Sequence, residues 1–224
     1  MLLRKIMGVF ACALVIGAAS FAFAGVPDLT LTTASMAYNA TPDPLLLLNR
    51  PDGTGKAFNA AVLTTDGSIQ DATISMTVLD GNGDPVLNFP ALDMWLETTN
   101  GGLVPCSGGT AADQNSHNVT GFTLWAQPLL AGGADGGTGS GVVTTVYISG
   151  ATRVGSDMAL WHNSPDINAD GLVNVTDVQV FAVDYFAYAA DTGDYEFKSD
   201  LEFDNAVNVS DIVPLAQGQG HNCP

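Results

Sequence analysis

The chain has 224 residues, 46% of them hydrophobic, with 6 basic against 23 acidic side chains and a formal net charge of −17. So few cations leave almost nothing to neutralise phosphates, which argues against nucleic acid and anionic membrane surfaces as partners. Apolar residues spread along the whole length argue against a disordered acidic chain, so the acidity needs another cause, and sites for hard cations supply one.

At the start, Arg4 and Lys5 precede an almost unbroken apolar run from Ile6 to Phe21, and Ala22-Phe23-Ala24 follows as a small-x-small pattern. This predicts a signal peptide over 1–24 and a secreted or surface-exposed protein. A membrane anchor fits less well, because the run is short and rich in Ala and Gly, and no second stretch is long enough to span a bilayer. Loss of Arg4 and Lys5 with the signal leaves four basic residues against 23 acidic ones, a formal net charge of −19. Cys12 leaves as well, so Cys106 and Cys223 meet an oxidising compartment. A disulfide between them, two free thiols and a bond between two molecules all remain open, because sequence does not fix geometry.

Residues 25–155 read as strands. Leu29–Thr33, Phe58–Thr65, Ala72–Leu79, Met94–Thr99, Gly121–Trp125 and Val142–Ser149 are short runs rich in Thr, Val, Ile and aromatics, several of them alternating. Gly, Asp, Asn and Pro clusters separate them, which predicts an antiparallel β-sandwich of about seven strands. The stretch ATISMTVLDGNGDPV (72–86), with GTAADQNSHNVTGFTLW (109–125) after it, resembles the bacterial immunoglobulin-like domains of invasin-type surface proteins. That resemblance implies an immunoglobulin-like β-sandwich. Asp80-Gly81-Asn82-Gly83-Asp84 imitates the start of a calcium loop, but Pro85 follows and the twelfth position is Ala91, so a hairpin turn is expected there.

Residues 164–224 contain one phrase written twice: DINADGLVNVTD from Asp166 to Asp177 and DLEFDNAVNVSD from Asp200 to Asp211. A twelve-residue calcium loop supplies oxygens from positions 1, 3, 5, 7, 9 and 12. In the first copy these are Asp166, Asn168, Asp170, the carbonyl of Leu172, Asn174 and Asp177. In the second they are Asp200, Glu202, Asp204, the carbonyl of Ala206, Asn208 and Asp211. Position 6 must turn sharply; Gly171 suits it, and Asn205 is the next best type for a left-handed backbone. Val173 and Val207 at position 8 are expected to form a small β-bridge between the loops.

Each loop is followed by a predicted helix, over Val178–Phe186 and Ile212–Gln217, while the segments before the loops do not look helical. Two loops with only a following helix each resemble the dockerin family, whose loop reads D-x-N-x-D-G-x-[VI]-N-x-x-D. The first copy matches every stated position, and the second departs at positions 3 and 6. The resemblance covers about 60 residues. It implies a small α-helical domain holding two calcium ions, a cohesin-like protein partner outside the cell, and a link to polysaccharide breakdown. It further implies partner recognition through Val175, Thr176, Val209 and Ser210 with the adjoining helix faces, although Phe181-Ala182-Val183-Asp184 lacks the basic residues many dockerins place there. The competing explanation is a pair of acidic turns capping two helices through Asp177 and Asp211, which accounts for one carboxylate per loop.

Nothing in the front part spells catalysis. Asp93, Glu97 and Asp113 are unpaired in sequence, the three His residues are isolated, and no Ser sits in a nucleophile elbow. A non-catalytic module is therefore expected. Two alternatives stand beside the docking function. One is a carbohydrate-binding sandwich using Trp95, Trp125 or Trp161, with core packing the simpler reading of Trp95 and Trp125. The other is a calcium-stabilised surface protein whose C-terminal module packs on its own sandwich.

Overall fold

The computed structural model describes residues 25–38, 43–150, 152–191 and 195–224, so the predicted signal peptide lies outside the described residues. The fold is mainly β. Its strands are β1 (Thr33–Met36), β2 (Leu45–Leu48), β3 (Ala61–Leu63), β4 (Ile69–Gln70), β5 (Ile74–Thr77), β6 (Met94–Thr98) and β7 (Val104–Pro105). They continue with β8 (Phe122–Trp125), β9 (Ala131–Gly132), β10 (Thr144–Ile148), β11 (Thr152–Met158) and β12 (Leu160–Asn163). Two helices follow, α1 (Val175–Ala189) and α2 (Ile212–Gly218). Among the described residues, no helix is long and apolar enough to cross a membrane.

The strands form sheets in the orders β1-β5-β8, β11-β10-β6, β12-β2-β3-β4 and β7-β9. Alternation in the sequence sets the inward faces, with Ile74 and Met76 from β5, Met94 and Leu96 from β6, and Val146 and Ile148 from β10 all buried in one core. Trp125 is fully buried there and donates its indole N–H to the Thr110 carbonyl at 3.1 Å. Trp95 is different. It lies outside that core, half-buried, directly across from Tyr147 in the register of β6 and β10, with the two rings 5.9 Å apart and 15° from parallel. Its N–H goes to Glu97 at 2.7 Å, which corrects the expectation of a second core tryptophan.

Several element boundaries differ from the sequence reading for local reasons. The Asp28 carboxylate accepts the Thr30 N–H at 2.8 Å and makes a turn, so the first strand begins at Thr33 rather than Leu29. Phe58–Ala60 is a 3-10 turn before β3. The run Leu45–Leu48 carries no alternation because every residue in β2 is buried, with parallel β12 on one side and antiparallel β3 on the other. At Asp80 the chain makes a turn, with Asp80 Oδ1 accepting the N–H groups of Asn82 and Asp84.

A second, smaller core joins the two copies of the repeated phrase. Ile167, Val173 and Phe181 of the first copy meet Leu201, Val207 and Leu215 of the second, each pair thirty-four residues apart in the chain. Leu48 of β2 completes this cluster from the strand-rich part. The C-terminal segment therefore sits on the sheets. Asn163 Nδ2 donates to the carbonyls of Phe197 at 2.8 Å and Asp200 at 2.9 Å, and Gly133 N donates to the Asp166 carbonyl at 2.9 Å. Trp161 meets the edge of Phe197, and Cys106 is bonded to Cys223 with their Cα atoms 5.5 Å apart.

Candidate metal centre

Each twelve-residue loop is organised by its own acids. In the first, Asp166 accepts the N–H groups of Asp170 at 3.1 Å and Gly171 at 3.0 Å. Asp177 accepts those of Asn168 at 3.1 Å and Asn174 at 2.8 Å. Asp170 takes the Leu172 N–H at 3.0 Å, and Asn174 Oδ1 takes the Thr176 N–H at 2.7 Å.

The second loop repeats all six bonds at equivalent positions. Asp200 accepts from Asp204 at 3.2 Å and Asn205 at 2.9 Å, and Asp211 accepts from Glu202 at 3.1 Å and Asn208 at 2.8 Å. Asp204 takes the Ala206 N–H at 2.9 Å, and Asn208 Oδ1 takes the Ser210 N–H at 2.8 Å. Left-handed backbone occurs at position 6 in both, at Gly171 (φ 85°) and Asn205 (φ 65°). It also occurs at position 4, where Ala169 (φ 60°) and Phe203 (φ 67°) carry side chains that make this conformation costly.

The acids at positions 1 and 12 are out of water, whereas Asp170, Glu202 and Asp204 are exposed. Asp166, Asp177 and Asp211 have no exposed surface and Asp200 has 1%. Burial pushes the Asp166 carboxyl up to about 6, and Asp177 and Asp170 beside it push the same way. Burial also raises Asp200 and Asp211. Glu202, although exposed, is raised by partial desolvation and by its neighbours Asp204, Asp211 and Asp200. Two buried carboxylates per loop, with exposed acids beside them, are unfavourable without a cation or protons to offset them.

The oxygen-only donor set fits a hard cation such as calcium, which takes six to eight oxygens from acids, amides and carbonyls. Among the described residues, no three His, Cys, Asp or Glu side chains are set as a ready cluster of metal ligands. The carboxylates instead face the loops' own N–H groups. One departure is plain: Glu202 Oε1 accepts the Ser210 hydroxyl at the loop edge.

Helix capping explains only part of this arrangement. Asn174 caps α1, with Asp177 completing a capping box, but Asp211 makes no side-chain cap at α2. Asp166 and Asp200 precede the helices by a full loop. The expected bridge between Val173 and Val207 is replaced. Val173 N donates to the His221 carbonyl at 2.9 Å and its own carbonyl accepts from Gly220 at 2.8 Å, so the C-terminal tail occupies that edge.

Four features were not read from the sequence. Tyr195 donates its hydroxyl to Asp200 at 2.6 Å, and burial with this bond raises the Tyr195 pKa. Asp184 of α1 is buried and binds the Ser199 hydroxyl at 2.6 Å, with Lys198 at 3.6 Å. Asn163 ties β12 to the second loop. Gly132 of β9 lies directly against the Asp166 carboxylate, where a Cβ would collide with Oδ2.

The residues implied in recognition lie beside the acids, at the loop exits. Val175 and Val209 are 63% and 65% exposed, at matching positions on the loop exits. Thr176 is exposed and bonded to Asn168, and Ser210 to Glu202. Between the helices runs an apolar cleft of about 450 Å³ lined by Val178, Phe181, Tyr185, Phe186, Ile212 and Leu215.

In the front part, Asp113 accepts the N–H groups of Ala126 and Gln127, and Glu97 is engaged by Trp95. His162 is fully buried between Asn49 and Thr144, and burial holds its pKa down to about 3. No protein-family model, curated protein or solved structure gives a significant match to this chain.

Proposed function

We propose that residues 164–224 form a dockerin-like module that holds two calcium ions and serves assembly with a cohesin-type protein partner outside the cell. The observation that carries this reading is the recurrence of the same six bonds around two pairs of buried acids, Asp166 with Asp177 and Asp200 with Asp211. Asp166, Asn168, Asp170, Leu172, Asn174 and Asp177 would hold one ion. Asp200, Glu202, Asp204, Ala206, Asn208 and Asp211 would hold the other. A bound cation would neutralise the carboxylates and turn binding free energy into folding free energy. The exposed Val175 and Val209, with the apolar cleft between α1 and α2, support a partner face with two related halves. Ahead of the module we infer an immunoglobulin-like sandwich, read from the sequence over 25–155 and built by strands that run on through β12 (Leu160–Asn163), without catalytic activity of its own. Its sheets share one core, which supports two packed layers.

Calorimetric titration of the full chain with calcium tests the reading. Two ions per chain support it, followed by binding to a panel of cohesin modules that is lost in chelator. Absence of calcium uptake would leave the loops as self-bonded turns and remove the proposal.

A second reading has its own support. The Asn163 bonds, the Trp161–Phe197 contact and the Cys106–Cys223 bond hold the module on the sheets. These contacts favour a calcium-stabilised end cap packed in cis. Calcium uptake without any cohesin binding would select it.

A further inference from the structure

Arg50 and Lys56 are two of only six basic residues in the chain, and two more of the six, Arg4 and Lys5, fall in the predicted signal peptide. Both line one cleft of about 400 Å³. Its floor is apolar, with Leu46, Leu48 and Val62 from β2 and β3 on one side and Leu201 on the other. Concentrating the scarce cations on one concavity of a strongly acidic chain needs a physical reason. Ordinary ion pairing is not that reason, since among the described residues neither Arg50 nor Lys56 takes part in an ion pair.

The Arg50 guanidinium is short of acceptors. Nη1 reaches the Thr54 carbonyl at 3.5 Å and Nη2 reaches Gln217 Oε1 at 3.4 Å, both at the long limit of a hydrogen bond. Nε is shielded from solvent and has no partner, so a ligand in the cleft would meet Nη1 and Nη2. A buried donor left unpaired costs free energy, and a guanidinium edge offers two parallel N–H groups that match a carboxylate. Glu202, the acidic residue in the cleft wall, accepts the Ser210 hydroxyl at its Oε1.

We infer that this cleft is a binding site for a small carboxylate with an apolar body, its acid group held by Arg50 and Lys56 and its body on the Leu46–Leu48–Val62 floor. The volume lies within the range of small-molecule sites. A singly charged ligand suits the cleft better than a phosphate, because Glu202 and the net charge of the chain disfavour a second negative charge. The assignment does not depend on the calcium reading.

The test is titration of the full, oxidised chain with 3-phenylpropionate, with the neutral 3-phenylpropanol and inorganic phosphate as comparisons. The acid should bind at least about tenfold more tightly than the alcohol, the scale of a charged hydrogen-bonded pair. Phosphate should bind more weakly than the acid. Lys56→Gln, at an exposed position, should weaken the acid several-fold without moving the melting temperature, and Arg50→Gln should weaken it further. Equal binding of acid and alcohol, no binding of the acid at about 10 mM, or unchanged affinity in Lys56→Gln would overturn the site. Phosphate binding as tight as the acid would overturn the carboxylate assignment.

Discussion

Gly132 and Asp166 are pressed together so closely that a methyl group on residue 132 would occupy the place of Asp166 Oδ2. A glycine of the strand-rich part thus sets the position of the first acid of the first loop. Gly132→Ala should displace that carboxylate and remove one calcium from the stoichiometry while leaving the second loop's ion in place. Counting ions by titration of the full chain checks this, and two ions at unchanged affinity would contradict it.

The loops should be separable by their own acids. Asp166→Asn should abolish uptake by the first loop and Asp211→Asn by the second, each variant keeping one ion. At calcium a hundredfold above its dissociation constant, each independent site adds about 2.7 kcal/mol to stability. Denaturant unfolding with and without calcium should therefore show roughly half the wild-type gain in either single variant.

Uptake should also expel protons. Burial pushes the Asp166 carboxyl up to about 6, above its ordinary value of 3.8. The stability this group contributes is present below 3.8 and lost as pH rises through 6. A cation replaces the proton, so calcium affinity should fall as pH drops below 6. Calorimetry in buffers of different ionisation heat should find more proton release at pH 6 than at pH 8.

His162 responds in the opposite sense. Its folded pKa of about 3 lies below the ordinary 6.5, so its contribution is present above 6.5 and lost as pH falls. At pH 5.5 the loss is about 1.4 kcal/mol. An NMR titration should show the His162 ring neutral in the folded chain at that pH. A ring that gains its proton near pH 6.5 would disprove its burial.

The disulfide should matter to the fold as a whole. Cys106 and Cys223 are 117 residues apart, and removing such a link by Cys223→Ser should cost about 2–5 kcal/mol in unfolding free energy. Equal unfolding curves for the variant and the parent would refute this.

The strand-rich class and both helices following the loops were legible because they rest on local periodicity. Ile74–Thr77 alternates in the sequence and alternates in burial, and the expected helix over Val178–Phe186 lies inside α1. Leu45–Leu48 escaped notice because a strand buried on both faces has no period to read. Trp95 and Trp125 both sit on alternating strands, yet one faces the core and the other stacks on Tyr147. That choice depends on which neighbours the sheets supply. In the loops, residue types identified the acids and the turn at position 6, whereas left-handed Ala169 and Phe203 have no compositional sign. The contacts of Gly132, Asn163 and Tyr195 with the acids were beyond reach, because they join residues far apart in the chain or depend on side-chain direction.

The tail that displaced the expected bridge has a consequence for the order of events. Residues 220–223 run along the first loop, with Gly220 and His221 bonded to Val173, Cys223 N bonded to the Gly171 carbonyl, and the Cys223 sulfur fixed to Cys106. The first loop therefore needs residues 220–223 to complete its bonding. The second loop carries no such dependence and can form as soon as Asp211 and its helix exist. Two loops of nearly the same wording thus mature on different schedules, and the one written first is the one completed last.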